Sequence, residues 1–546
     1  MKRFSTLLLA VLIVPAAALF AQLPERILGP GLNAGRTAFH QRSNITLSAD
    51  TAYVLTGLFY VDSTFTLTIQ PGTVVFGDTG AALVIARGAK IFAMGSASSP
   101  IVFTSNKPVG QRHSGDWGGI LILGNAPSNK VNPLIEGGII GGSYGGNDAN
   151  DNSGIFRYVR IEFGGYRFQL NNEVNGLTMG GVGTGTEVHH VQVSYADDDS
   201  FEWFGGTVSP KYLVAFGGTD DEFDTDFGYS GKVQFAFGLR DPNQWDPTGE
   251  SNGFESDNDA SATSTDLPWT RAVFSNVTLI GPERIDSLVG KLPAGNKFQY
   301  SAVLRRSTRQ SLYNAAIAGY PWGFRVRDVN TISAANADSL QIRNVSLAAS
   351  VKPGTSPSVH DSAQWAGITA WFNTPAYANT GSSPRNPGAL SFTNLADLKN
   401  PDPSPQTGSE LAGSASFSAA ALSGLDVVTY RGAFEPGKPM SAQWTAGWTN
   451  FDPQNTNYRA IKAKGQAIIG PGLNSGRTAY HLTANRTLAA DSQYVLTGLV
   501  YVDSTYSITI PAGTVIKGDT GAALVITRGA KIFATGTADR PIVFTS

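Results

Sequence analysis

Three short segments repeat one pattern at a fixed interval: "VQVSY" at 191–195, "YLVAF" at 212–216 and "VQFAF" at 233–237 begin 21 residues apart. A period this short constrains the fold strongly, because such a unit buries little by itself and must stack on its neighbours. Strand alternation places Val191, Val193 and Tyr195 on one face, with Gln192 and Ser194 on the other. The same face returns as Tyr212, Val214, Phe216 and as Val233, Phe235, Phe237, so Tyr195, Phe216 and Phe237 are expected in one inward aromatic column. Related strands occur at "YVRIEF" (158–163), "SNVTLIG" (275–281) and "RNVSLAAS" (343–350), and near the start "LTI" (67–69), "LVI" (83–85) and "IVF" (101–103) recur at spacings of 16 and 18. Short strands separated by turn residues describe an all-β chain, coiled as a right-handed parallel β-helix. Propeller blades need about twice the period, and sandwiches need no fixed period.

A second repeat is far longer. "ILGPGLNAGRTAFH" at Ile27 returns as "IIGPGLNSGRTAYH" at Ile468, 441 residues on, and the match runs through "YVLTGL", "GDTGAALVI", "RGAKIFA" and "PIVFTS". The copy stops where the first continues into "NKPVG". We read this as a tandem protein cut short, since natural chains cover an open strand edge. Between 353 and 465 the texture changes to Pro/Ser/Gly/Asn-rich stretches such as "KNPDPSPQTGSE". Trp365, Trp371, Trp444 and Trp448 argue against disorder there, so the segment reads as a loop-rich cap around the C-terminal end of the solenoid. The expected plan is a leader at 1–21, a β-helix unit at 22–352, the cap or linker at 353–465, and a partial second copy at 466–546.

The leader has the layout of a secretory signal: Lys2 and Arg3, an apolar run from Leu7 to Val14, then Ala16, Ala17, Ala18 and Ala21. That run is shorter than the roughly 20 residues of a membrane span, and no later stretch approaches that length. The mature chain is therefore expected outside the cell or on its surface. Among 546 residues there is no Cys, which removes disulfides, thiol catalysis, Cys-ligated zinc and iron–sulfur clusters. An exported chain without Cys fits a bacterium. With 40 basic and 42 acidic residues there is no basic footprint for nucleic acid.

Charge is nevertheless concentrated. Residues 196–227 hold nine acids and one base, Lys211. "DDSFEWF" at 198–204 aligns with "DDEFDTDF" at 220–227, and "NGFESD" at 252–257 is a weaker third copy; in each, a Phe (201, 223, 254) precedes an acid, Glu202, Asp224 or Glu255. On adjacent coils such acids would stand about 4.8 Å apart and repel by about 3 kcal/mol at an effective dielectric of 20. Solvent, protons or a cation must relieve that repulsion. Oxygen-only ligands suit a hard cation, so calcium is the expected cofactor, with Asp198, Asp199, Glu202, Asp220, Asp221, Asp224, Asp226 and Glu255 as candidate ligands. The bland alternative is a solvated acidic rim. A lyase would add a base, for which Lys211, Lys232 and Arg240 are the nearby candidates, and paired carboxylates could also serve glycoside hydrolysis. His189 and His190, being adjacent, are expected on opposite strand faces. The glycine-rich "EGGIIGGSYGGND" reads as a flexible surface loop.

The segments "GDWGGILILGNAP" (115–127), "NDNSGIFRYVRIEFGG" (151–165), "DDDSFEWFGGTV" (197–208), "DDEFDTDFGYSGKVQF" (220–235), "NGFESDN" (252–258) and "VTYRGAF…WTAGWT" (428–449) resemble a family of exported bacterial proteins with a pectin-lyase-like β-helix, many tied to the cell surface. The resemblance implies export and a β-helix without implying a reaction. The acid-plus-Phe motifs also look like the acidic coil of calcium-dependent pectate lyases. Two readings stay open. The first is an exported β-helix protein with a binding or structural role, adhesion or glycan contact, stabilised by calcium. The second is a calcium-dependent polysaccharide lyase or glycoside hydrolase. Head-to-tail pairing of the second copy of one molecule with the first copy of another is a further expectation.

Overall fold

The computed structural model describes residues 24–168, 173–350, 359–360, 364–459, 467–472, 475–489, 493–537 and 541–545; the expected leader lies outside the described residues. The described chain forms two compact units, 24–456 and 457–545.

In the first unit each early coil carries three short strands. Ala52–Leu55, Leu58–Val61 and Thr66–Ile69 pair in parallel with Val74–Gly77, Ala82–Ile85 and Lys90–Met94 of the next coil. The expected coil boundaries need one correction here. "LTI", "LVI" and "IVF" sit on three different faces and pair with different neighbours, so spacings of 16 and 18 separate faces rather than coils. The side chains pointing inward, among them Leu55, Val61, Ile69, Ile85 and Ile91, form one continuous apolar core.

From Gly154 onward two of the three faces fuse into single bent strands, such as Glu187–Ser194 and Lys232–Leu239. At each bend one residue takes a left-handed conformation: Tyr158, His190, Tyr212 and Phe235 have φ of 48°, 53°, 60° and 60°, followed by Asn276, Asn314 and Asn344 at 55°, 51° and 54°. Asn tolerates this region through its short polar side chain. The four rings are held by stacking, with centroids 4.3, 4.4 and 5.0 Å apart. Their left-handed turn also resets the alternation. Val191 lies opposite Leu213 and Leu213 opposite Ala236, offsets of 22 and 23 rather than 21.

The expected inward column of Tyr195, Phe216 and Phe237 is therefore not formed. Val191, Val193, Leu213, Ala215 and Ala236 point into the core, whereas Phe216 and Phe237 face outward into a second apolar cluster, with Tyr195 packed against it. The two histidines are corrected for the same reason. The turn at His190 brings both rings to one side, with the Nδ1 atoms 2.7 Å apart, and burial lowers the pKa of both, that of His190 to about 3.

The expected cap does two separate things. Val359, Ile368 and Phe372 close the end of the core, and Phe372 sits 5.7 Å from Phe324. Residues 390–451 instead cover the flank, where Leu390, Leu411, Phe434, Trp448 and Phe451 pack on Phe216, Phe237 and Ile280. Amide side chains of the solenoid fasten this strap. Asn314 bonds both backbone groups of Ser416 at 2.9 and 3.0 Å. Gln234 does the same at Asp426, and Gln192 at Asn450. The strap thus runs back toward the N-terminal coils, where Arg112 Nη1 donates to Pro453 O at 2.7 Å.

The second unit repeats the three-face coil. Ala479–Leu482 pairs with Leu499–Val502, and Ser507–Ile510 with Lys531–Ala534, around its own core of Leu488, Val500, Ile508 and Ile516. It also reproduces an exposed contact: His40 Nδ1 meets Asp62 Oδ1 at 2.7 Å, and His481 meets Asp503 at 2.8 Å. No helix among the described residues is long and apolar enough to cross a membrane.

Candidate metal centre

One face of the first unit stacks the strands Leu177–Gly180, Phe201–Phe204, Phe223–Asp226, Phe254–Ser256 and Tyr300–Leu304 in parallel. Leu177, Phe201, Phe223 and Phe254 are in register and buried in the core, with successive Phe rings 5.6 and 5.4 Å apart. Because side chains alternate, the next position in every strand faces outward. That row reads Thr178, Glu202, Asp224, Glu255, Val303. The parallel ladder that stacks the rings therefore also stacks the carboxylates above them.

A second row comes from the turns leading into these strands. Asp199 Oδ1 accepts the N–H of Asp221 at 2.7 Å, Asp221 Oδ1 that of Asn252 at 2.6 Å, and Asn252 Oδ1 that of Tyr300 at 3.1 Å. Each side chain caps the backbone of the coil above. Asp198 and Asp220 precede this row, and Asp226 ends its strand opposite Phe204. All eight expected ligands thus lie along the same solenoid face.

Two triads are especially close. Ligand oxygens of Asp198, Asp199 and Asp220, and of Asp199, Glu202 and Asp224, lie within 4.8 Å of one another, with Asp199 shared. Burial pushes these carboxyls well above their usual range, and neighbouring acids add to it: Asp224 and Asp198 for Asp199, Glu136 and Asp224 for Glu202, Glu255 and Asp221 for Asp224. Asp198, Asp220, Asp226 and Glu255 are raised for the same two reasons. Burial raises Asp221 to about 6 against the pull of Arg240. Calcium bonds oxygen at about 2.3–2.6 Å, so any two of its ligands lie within roughly 5 Å. The triads meet that limit, all donors are hard oxygens, and buried Asp224 Oδ1 has no hydrogen-bond partner.

Of the expected bases, the two lysines are not at this face. Lys211 and Lys232 open strands of the bent sheet and are bonded to the strap, Lys211 Nζ to Asp426 at 2.8 Å and Lys232 Nζ to Ser423 O at 2.7 Å. Arg240 is fully buried. Its Nε pairs with Glu222 Oε1 at 2.5 Å, and Tyr320 donates to Glu222 Oε2 at 2.8 Å. Nη2 of Arg240 donates to the carbonyls of Asp220 and Asn252, so it holds the turns that carry the acids.

Other residues at the face were not anticipated. Glu136, from the glycine-rich segment, joins Asn175, whose Nδ2 also donates to Glu202. That segment is not a free surface loop, since its Ile139 and Tyr144 are buried against the sheet. Arg305 pairs with Glu255 and with Asp257 at 2.9 Å, and Arg306 with Asp257 at 2.6 Å. Arg167 bridges Asp197 at 3.1 Å and Asp246 at 2.9 Å. The outward row then continues from Val303 to Arg325, so an arginine stands two coils beyond the last acid, Glu255.

Comparison with solved structures finds a mutant of a PL6 family alginate lyase, 10% identical, covering 96% of this chain and 71% of that chain at a TM-score of 0.27. A likeness at that level carries no argument about activity. Comparison with curated proteins finds no match. A family model described as a pectate-lyase-like β-helix domain matches residues 39–386 and 480–546. The parallel coils and this match over most of its length agree: the chain belongs to the family of pectate-lyase-like β-helix domains.

Proposed function

We propose that the chain is an exported bacterial β-helix protein, extracellular or on the cell surface, that holds calcium on its acidic face and uses that face to bind a glycan. The observation that carries this reading is the pair of carboxylate triads sharing Asp199, with Asp224 Oδ1 buried and unpartnered. Residues Asp198, Asp199, Glu202, Asp220 and Asp224 would form the first ligand set. Asp221, Asp226 and Glu255 would extend the field. A bound cation keeps buried carboxylates charged where burial alone favours their protonated form. The leader at 1–21, the cap or linker at 353–465 and head-to-tail pairing through the second copy at 466–546 belong to the same proposal.

The test is incubation of the full chain with acidic and neutral polysaccharides, in calcium or in chelator. Calcium-dependent retention of polymer without product supports the binding role, and failure of calcium to bind overturns it. A lyase remains the second reading because Arg305 and Arg306 stand beside the acids. Unsaturated product ends in the same assay would select it.

A further inference from the structure

A different charged group lies outside the carboxylate rows, where the chain leaves the strand Val273–Ile280. Arg284 lines a cavity of about 210 Å³ whose walls include Ile285, Asp286, Phe392, Asn394 and Leu395. It is only 9% exposed. Two of its nitrogens are committed: Nε donates to Leu395 O at 2.6 Å and Nη2 to Ala396 O at 3.0 Å. Nη1 is buried without a hydrogen-bond partner, and among the described arginines this is the one terminal guanidinium nitrogen left so.

Among the described residues the guanidinium also has no counter-ion in contact. Asp241 and Asp397 act on it through space, and neither forms an ion pair with it among the described residues. Asp286 on the wall is engaged elsewhere, its Oδ1 accepting the N–H of Gly388 at 2.8 Å. Burying a fixed cation with an unmade hydrogen bond is costly unless an anion meets it. The two carbonyl contacts orient the side chain in advance, so little freedom is lost when a ligand arrives.

We propose that this cavity binds the oxyanion group of a small acidic ligand, with Arg284 Nη1 as its donor. Either a carboxylate or a sulfate oxygen can accept a charge-assisted hydrogen bond from Nη1. A space of about 210 Å³ admits one acidic sugar residue or a small acid. Phe392 and Ile285 supply an apolar wall, and the second oxygen of Asp286 can accept from a hydroxyl beside the anion. The site is independent of the calcium reading, because none of its residues belongs to the acidic rows.

The test is calorimetric titration of the full chain, in chelator, with glucuronic acid, acetate and inorganic sulfate as separate probes. One-to-one saturation by at least one probe is expected, and the tightest probe identifies the source of the anion. Arg284→Gln should weaken that probe about 10- to 100-fold, as loss of a charged hydrogen bond does. Should that variant fail to fold, Asp286→Asn decides. It keeps the acceptor for Gly388, removes a like charge, and should tighten acetate by about threefold or more. Failure of all three probes to saturate overturns the proposal, as does unchanged affinity in the variants that fold.

Discussion

Replacing Asp224 by Asn should change stability in opposite directions with and without calcium. At the 4.8 Å limit of the Asp199–Glu202–Asp224 triad, one pair of charges repels by about 3.5 kcal/mol at an effective dielectric of 20. Asp224 takes part in two of the three pairs, a load of about 7 kcal/mol when all are ionised. Keeping one proton at pH 8 on a carboxyl of ordinary pKa near 4 costs about 5 kcal/mol, at about 1.4 per unit. The second cost is smaller, so the calcium-free triad holds a proton and carries that penalty. Asn removes it. Partial exposure reduces the figure, so in chelator at pH 8 the variant should gain about 2–4 kcal/mol in urea unfolding. In calcium at 1,000 times the native site's dissociation constant the order reverses, because the native site gains about 4.1 kcal/mol that the weakened site does not. Equal destabilisation of Asp224→Asn in chelator and in calcium would refute the cation-site reasoning.

Three further outcomes are expected. Raising the pH of the chelated protein from about 4 to about 8 should lower its stability. Carboxyls with raised folded-state pKa, Asp221 at about 6 and Glu222 at about 8, contribute fully below the unfolded value and lose that contribution as pH rises through the folded one, by about 1.4 kcal/mol per unit and proton. Unfolding midpoints that stay flat across this range would contradict it. Phe223→Ala should cost about 3–5 kcal/mol, since its ring stacks between Phe201 and Phe254, and it should weaken calcium binding as the row above loses its support; unaltered calcium affinity would separate stack from site. Trp448→Ala, at a residue of the strap fully buried against the solenoid, should expose 390–451 to limited proteolysis while the coils stay intact, and an unchanged cleavage pattern would count against the strap's anchoring there.

The acidic face was legible because each of Phe201, Phe223 and Phe254 is followed by its acid, so aligning the rings aligns the charges. The core of the bent sheet was not. Its register depends on Tyr158, His190, Tyr212 and Phe235 turning left-handed, and aromatic residues carry no local mark of that conformation as Gly or Asn would. A fixed period of 21 hid offsets of 22 and 23, which exchanged inside for outside over Leu213–Phe216 and at Ala236 and Phe237, while Val191 and Val193 kept the expected face. The bases failed for a different reason. Nearness in sequence suggested Lys211 and Lys232, but a coil carries them round to another face. Arg305 reaches Glu255 from 50 residues further along the chain, outside any acid-plus-Phe motif. Glu136 arrives from a glycine-rich loop whose composition gave no hint that Tyr144 would anchor it.

The intervals between Glu202, Asp224 and Glu255 along the chain are 22 and 31 residues, yet the three occupy consecutive rungs. The solenoid works as a ruler whose divisions are set by backbone hydrogen bonding, whatever length of chain is looped out between marks. Lengthening the 241–250 loop should leave the graduation untouched. One residue inserted between Phe223 and Asp226 would turn that rung's charge inward. New loops can therefore be traded on this edge without recalibrating the face, and the tolerance ends abruptly at the strand.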